Sequence, residues 1–316
     1  MRAFYIKNIL TLAIIAFLIF SGCESTSPEN KTPDHNPSEK IRLVSLSPNL
    51  TQIIFALGAG DLLVGVDNFS NYPEEALAVP RMGSYLDPDL ETLITTKPDL
   101  VLILDTDEQM SELLSGVGLK YESFANDKIE YILNSIERLG ELTGHTSDAK
   151  NLIDDFNSTV DDIKSKLETV PRPDIAMIVG RNPGRLQDIY VASGKNFLGE
   201  LLNLAGGENV FEDLDIPWPN IGAESIIAKD PDIIIDTNFP EGGSDADYQA
   251  FLNEWNELPS LKALNEGNLI APRDKWYLIP GAHIGDTLKL FAHWSHPDIF
   301  PDDVQDPFLK SEEADE

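Results

Sequence analysis

Cysteine occurs once in the chain, at position 23. A single thiol excludes an intramolecular disulfide and any zinc site built from several cysteines. Basic residues are scarce as well: 23 lysines and arginines stand against 54 acids, a formal charge of −31. Nucleic-acid binding rests on cations that displace phosphate counterions, so that class is excluded, and broad adhesion to anionic lipid with it. Histidine is thin, with five in all and none between His35 and His145. A zinc or manganese receptor drawing ligands from both halves would need histidine in the first. His293 and His296 are spaced to share a helix face, but beside Pro297 they read as a solvated C-terminal turn, and no metal site is assigned. There is no P-loop and no G-x-S-x-G elbow. Gly58-Ala59-Gly60 lacks the third glycine of a dinucleotide fingerprint, with Leu63 in its place, and reads as a turn. No nucleophile–base pair stands out at strand ends, so no catalytic residue is assigned and a binding protein is favoured over an enzyme. What is present is ample: 316 residues, 42% hydrophobic and 24% charged, support a sizeable core.

The first 40 residues read as an address. Arg2 and Lys7 precede the apolar run Ile9 to Phe20, and Ser21-Gly22 follow, the order of an export signal. The run is short for a bilayer span. Phe20-Ser21-Gly22-Cys23 resembles a bacterial lipobox, with phenylalanine where leucine is usual. That resemblance implies removal of residues 1–22 and a lipid on Cys23, which would anchor an otherwise soluble body. An ordinary cleaved signal with an incidental cysteine is the alternative. Loss of Arg2 and Lys7 takes the formal charge to −33. Residues 23–40, rich in Ser, Pro, Asn, Glu and Lys, read as a flexible tether, and residues 298–316 as a solvated acidic tail.

Between these ends, short apolar runs alternate with amphipathic stretches. Strands are expected at 41–45, 62–66 and 100–104, with a helix opened by Ser47-Pro48 and closed at Gly58. The same grammar restarts with a strand at 175–179, a helix near 197–204, a strand at 233–235 and a helix near 284–294. This is an α/β pattern with mainly parallel sheets. Apolar residues at 149, 152, 153, 156, 160, 163 and 167 make one helical stripe, so a single stiff helix over 147–169 joins a lobe at 41–146 to one at 170–297. The halves also echo one another: Glu91 and Glu224 each stand seven residues before a Pro-Asp pair that opens an apolar run. Each glutamate sits near a helix start, where it complements the helix dipole whatever else it does.

Aromatic residues gather in connections rather than on helix faces. Phe69, Tyr72 and Tyr85 lie in loops of the first half, Trp218 between two prolines, and Trp276-Tyr277 in a later loop. Loops at strand ends are where α/β sheets take ligands, and such side chains suit a large flat molecule. Packing beneath their own loops is the alternative for each. Arg181 and Arg185 in the loop 180–190 are rare cations; they fit an anionic ligand or simple pairing with nearby acids. Tyr190 at the end of that loop joins the ligand-binding set.

Leu43-Val44-Ser45-Leu46-Ser47-Pro48-Asn49, Tyr72-Pro73, Leu90-Glu91, Phe197-Leu198-Gly199-Glu200 and Ala205-Gly206-Gly207-Glu208-Asn209-Val210-Phe211 resemble the helical-backbone substrate-binding proteins of bacterial ABC importers. The resemblance spans about residues 41 to 297. It implies two Rossmann-like lobes joined by one long backbone helix, with a ligand cleft between them. Pro217-Trp218-Pro219-Asn220 ahead of Glu224, with the aromatics at 69, 72, 85, 276 and 277, is most similar to the cobalamin-binding branch. That implies a corrinoid as cargo, no resident cofactor, and Glu91 and Glu224 as docking groups for arginines of a membrane permease that works with an ATPase. The 180–190 loop is longer than that branch's, which keeps ferric-siderophore and haem receptors open. A membrane-tethered enzyme and an envelope scaffold are the alternatives of a different class.

Overall fold

The computed structural model describes residues 40–84, 87–105 and 108–301. The export segment, Cys23, the tether to residue 39, Tyr85 and the tail beyond Pro301 lie outside the described residues.

In chain order, β1 (Leu43–Ser45), α1 (Pro48–Ala56), β2 (Leu63–Val66), α2 (Leu90–Thr96), β3 (Leu100–Leu104), α3 (Glu108–Gly116) and β4 (Tyr121–Phe124) build the first sheet and its helices. Its strand order is β2-β1-β3-β4, with every pairing parallel. α4 (Ile129–Thr143) and α5 (Thr146–Lys166) carry the chain onward. The second half holds β5 (Asp174–Gly180), β6 (Ile189–Val191), α6 (Phe197–Leu204), β7 (Glu208–Asn209), β8 (Asn220–Ile221), α7 (Ala223–Lys229), β9 (Ile233–Asp236), α8 (Asp245–Trp255), α9 (Lys262–Asn265), β10 (Leu269–Ile270) and α10 (Ile284–Ser295). Here the order is β10-β9-β5-β6-β8, with β7 beside the start of β5. β10, β9, β5 and β7 are parallel, whereas β6 and β8 are antiparallel additions. The first sheet is thus parallel and the second mixed.

The period-two alternation of the strands decides what each face buries. Val44, Val101 and Ile103 pack outward with Met82, Leu93 and Leu114. Ala176, Ile178 and Ile234 do the same on the second sheet with Phe239, Phe251 and Trp255. The alternate residues, Leu43 and Leu102 from one sheet and Met177 and Ile235 from the other, belong to one continuous core. That core takes in Ile53 of α1, Ile136 of α4, Phe156 of α5, Leu201 of α6 and Phe291 of α10. The two sheets are therefore fused through a shared helical layer.

α5 is 21 residues long, about 31 Å at the usual helical rise. Its buried side is Ala149, Phe156, Val160 and Ile163, the stripe expected from the spacing. α4 lies close against it at Gly140, where an added Cβ would stand 2.5 Å from the Ala149 Cβ. Lys150–Asp154 and Lys166–Asp162 pairs cover its wet side.

Three local expectations change. Ser47 precedes α1, but its hydroxyl bonds the Asn49 side chain instead of a helix amide. His293 and His296 are not a solvated turn: His296 is buried with Nε2 3.1 Å from the Gly206 carbonyl oxygen, and His293 Nδ1 is 2.9 Å from that of Phe300. The C-terminal segment is also not solvent-facing from its start, because Phe300 packs into the core beneath Lys166.

The internal echo is structural as well as sequential. α2 and α7 are each seven residues, and each ends on a left-handed residue, Lys97 with φ 51° and Asp230 with φ 43°. Pro-Asp follows in both. Asp99 Oδ2 accepts the Arg42 amide ahead of β1 at 2.8 Å, and Asp232 Oδ2 accepts the Asp174 amide at the start of β5 at 2.9 Å. In each half one aspartate therefore ties the entry of a central strand to that of its neighbour.

Candidate ligand-binding site

In sheets of this kind ligands meet the loops that leave the C-terminal ends of the strands. On the first sheet the loop after β2 carries Phe69 and Tyr72. A buried polar network holds it. Asp67 accepts the Phe69 amide at 2.9 Å and the Ser70 hydroxyl, and the Ser70 and Thr51 hydroxyls lie 2.8 Å apart. Thr51 also donates to the Ser45 hydroxyl at the end of β1, at 2.9 Å. Arg81 Nη1 closes the loop from outside by donating to the Asp67 and Ser70 carbonyls at 2.8 and 2.7 Å. Burial pushes the Asp67 carboxyl above the usual carboxylate range, although its hydrogen bonds oppose this. With its backbone fixed, Phe69 stands 66% exposed, and Tyr72 is half-buried.

On the second sheet, Tyr190 on β6 is registered with Gly180 at the end of β5 and with Asn220 of β8. Trp218 lies two residues before Asn220, so the segment that carries it runs alongside the end of β6. The prolines around Trp218 anchor its loop: Val191 N donates to the Pro219 carbonyl at 3.1 Å, and Asn196 Nδ2 donates to that of Pro217. Asn196 Oδ1 meanwhile accepts the Gly199 amide at 3.0 Å, capping α6 with the same side chain. Gly199 is required there, since an added Cβ would lie 1.9 Å from the Ser193 carbonyl oxygen. Trp218 is left 39% exposed and Tyr190 45%.

Trp276 and Tyr277 depart from the expected cleft lining. They form a short 3-10 turn, Trp276–Leu278, whose rings are buried in the shared core. Tyr277 meets Phe291 and Trp294 of α10 edge-on, at centroid distances of 6.2 and 5.2 Å. Burial drives its hydroxyl well above the ordinary phenol range, and that oxygen has no hydrogen-bond partner among the described residues. Just beyond this turn a hydrogen bond joins the halves, for Asn49 Nδ2 at the start of α1 donates to the Pro280 carbonyl at 3.3 Å. These aromatics therefore support the junction below the loops.

Arg181 resolves toward pairing with acids. Its buried guanidinium donates from Nε to Asp236 Oδ2 at 2.8 Å and from Nη1 to Glu254, and lies over the Phe251 ring. Asp236, ending β9, also accepts Trp255 Nε1 at 3.0 Å and both nitrogens of Asn238 at 3.0 and 2.7 Å. All of its acceptor capacity is used. Arg185 is exposed and offers Arg181 its backbone carbonyl at 3.2 Å. Asp67, Arg81, Asn196 and Asp236 belong to no motif in the sequence. Two of them had a signal: Asp67 and Asp236 each terminate an apolar strand at its ligand end. Lys275 is a further such residue, half-buried, with Nζ donating to the Thr237 carbonyl just beyond β9. Burial lowers its pKa from the ordinary lysine value.

Glu91 and Glu224 are both exposed in the first turns of α2 and α7. Among the described residues no cluster of His, Cys, Asp or Glu is arranged to hold a metal ion, and no helix is long and apolar enough to cross a membrane.

The chain matches a family model described as periplasmic binding protein over residues 43–275. It is 30% identical over 223 residues to a vitamin B12-binding protein of Vibrio parahaemolyticus, covering 70% of this chain and 78% of that one. Among solved structures, a periplasmic vitamin B12 binding protein of Vibrio cholerae has a TM-score of 0.65 at 23% identity, covering 80% of this chain and 95% of the other. A periplasmic haem-binding protein of Pseudomonas aeruginosa reaches 0.66 at 22% identity, covering 82% and 93%. At such identities the two structures speak for the shared fold alone.

Proposed function

The chain belongs to the periplasmic binding protein family, and from that premise we propose that it is the substrate-binding protein of an ABC importer with cobalamin or a related corrinoid as cargo. The observation that carries the cargo is the set of exposed rings, Phe69 and Trp218 on loops whose backbones are pinned from beneath and Tyr190 on the paired strand β6. Rigid aromatic surface lowers the ordering cost of binding a broad, flat molecule. The 30% identity to a vitamin B12-binding protein points the same way. Tyr72 and Tyr85 complete the ligand set proposed here. The chemistry is capture and release, with no covalent step. Because the halves share one core, closure on the ligand is small.

Haem or a ferric siderophore is the second reading, favoured by Lys275. Its half-buried ammonium donates to a backbone carbonyl near the end of β9 and suits a carboxylate on the cargo.

Export and a lipid on Cys23 place the protein at the outer side of the membrane that holds the permease. Glu91 and Glu224, exposed at equivalent positions of the two halves, dock it there by pairing with arginines. Reversing both, Glu91→Lys with Glu224→Lys, is expected to cut cellular uptake of labelled cyanocobalamin more than about tenfold while the purified variant binds it normally. Uptake at the wild-type rate would remove the docking role.

A further inference from the structure

Two exposed isoleucines are unaccounted for by the fold. Ile94 on α2 is 45% exposed and Ile227 on α7 is 42% exposed. Each follows the glutamate of its half by three residues, which puts Glu91 with Ile94 and Glu224 with Ile227 on common helix faces. The residues between set the orientation: Leu93 and Ile226 are fully buried, and the partly buried Thr92 and Ser225 match as well. Burial therefore runs in the same order over the first six residues of both helices. A singly exposed isoleucine is ordinary on a protein surface. Its appearance at the same step of both copies of an internal repeat is not, since helix propensity at a wet position favours Ala, Glu, Lys or Gln.

Topology also places these pairs. Each helix leads to the N-terminal edge of its sheet, where β3 and β9 begin. Glu91 and Glu224, in the first turns, lie toward the ligand end, and the isoleucines lie one turn further along. Both faces therefore border the end at which the aromatic loops emerge.

We infer that Ile94 and Ile227 are the apolar half of the docking surface, each entering a recess beside the cation that takes the neighbouring glutamate. The inference rests on the docking role proposed above. The occupant is a membrane permease with two equivalent halves, because this chain offers the same acidic-apolar pair twice, once per half. Its docking face is cationic, complementing a chain with a formal charge of −31. The glutamates steer and orient the encounter, and the isoleucines slow its reversal.

The test replaces the chromosomal copy, in the cells that make the protein, with Ile94→Asp, Ile227→Asp or both. It compares uptake of labelled cyanocobalamin with cyanocobalamin binding and thermal midpoint of each purified variant. Haemin takes the place of cyanocobalamin if the purified chain binds haemin instead. Each single change is expected to lower uptake about tenfold, and the pair further, with binding within about twofold of wild type. Ile94→Val and Ile227→Val should retain most uptake. Normal uptake by the aspartate variants, where the double glutamate reversal blocks it, would overturn the apolar contact and leave charge docking intact. Weakened ligand binding or a lowered midpoint in the aspartate variants, with poor uptake, would assign the isoleucines to the fold or cleft and overturn it as well. If the glutamate reversal is silent too, the docking role falls and this inference with it.

Discussion

Trp218→Ala is expected to weaken cyanocobalamin binding by about 30- to 100-fold, the range for truncating an aromatic anchor at the centre of an interface. The ring is presented on a loop tied at Pro217 and Pro219, so little ordering is required when a ligand arrives. Phe69→Ala is expected to cost about tenfold, and its loop is fixed independently through Asp67, Ser70 and Arg81. The two losses should multiply, because the loops belong to different sheets. Trp276→Phe is a useful control. That ring is buried in the junction, so its replacement should alter stability more than affinity. Calorimetric titration of the purified variants checks all three. A change below about threefold for Trp218→Ala would move the ligand away from this loop.

Asp236→Ala is expected to destabilise the protein by about 3–5 kcal/mol, the cost of stranding a buried cation and its neighbours. Arg181 would lose its fully buried partner and keep Glu254, whose side chain is partly exposed, while Trp255 Nε1 and Asn238 would lose their acceptor. For a body of this size the thermal midpoint should fall by about 10 °C. Replacing the pair together, Arg181→Met with Asp236→Leu, should recover much of that loss, since a buried ion pair gains little over a packed apolar pair. If Asp236→Ala melts within about 2 °C of wild type, the cluster is not the structural anchor of the second half. The same change should disturb the Arg181 loop that leads to Tyr190, so ligand affinity falls with stability.

Local signals carried most of the fold into view. β3 at Leu100–Leu104 and α6 at Phe197–Leu204 have the bounds that their apolar runs imply, and the α5 stripe is buried as its spacing requires. β2 begins a residue late because Gly60–Leu62 forms a 3-10 turn. The site was legible in residue type but not in partnership. Arg181 and Asp236 are 55 residues apart, and no local pattern distinguishes a buried pair from two cleft charges. Trp276 and Tyr277 looked like loop aromatics because the surface that covers them includes α10, many residues further on. The antiparallel β6 and β8 were likewise hidden, each too short to show an alternation. In contrast, the echo of Glu91 in Glu224 led directly to matched helices, matched left-handed ends and matched aspartates.

The aromatic loops of this family binding protein are proposed to hold a corrinoid. Calorimetric titration of the purified protein with cyanocobalamin, and separately with haemin, tests it most directly. The expected result is one cyanocobalamin per chain with a dissociation constant of about 1 μM or lower, and haemin at least about tenfold weaker. Saturable, tight haemin binding with no measurable heat from cyanocobalamin would contradict the corrinoid assignment and identify Lys275 as the first residue to examine for a carboxylate contact.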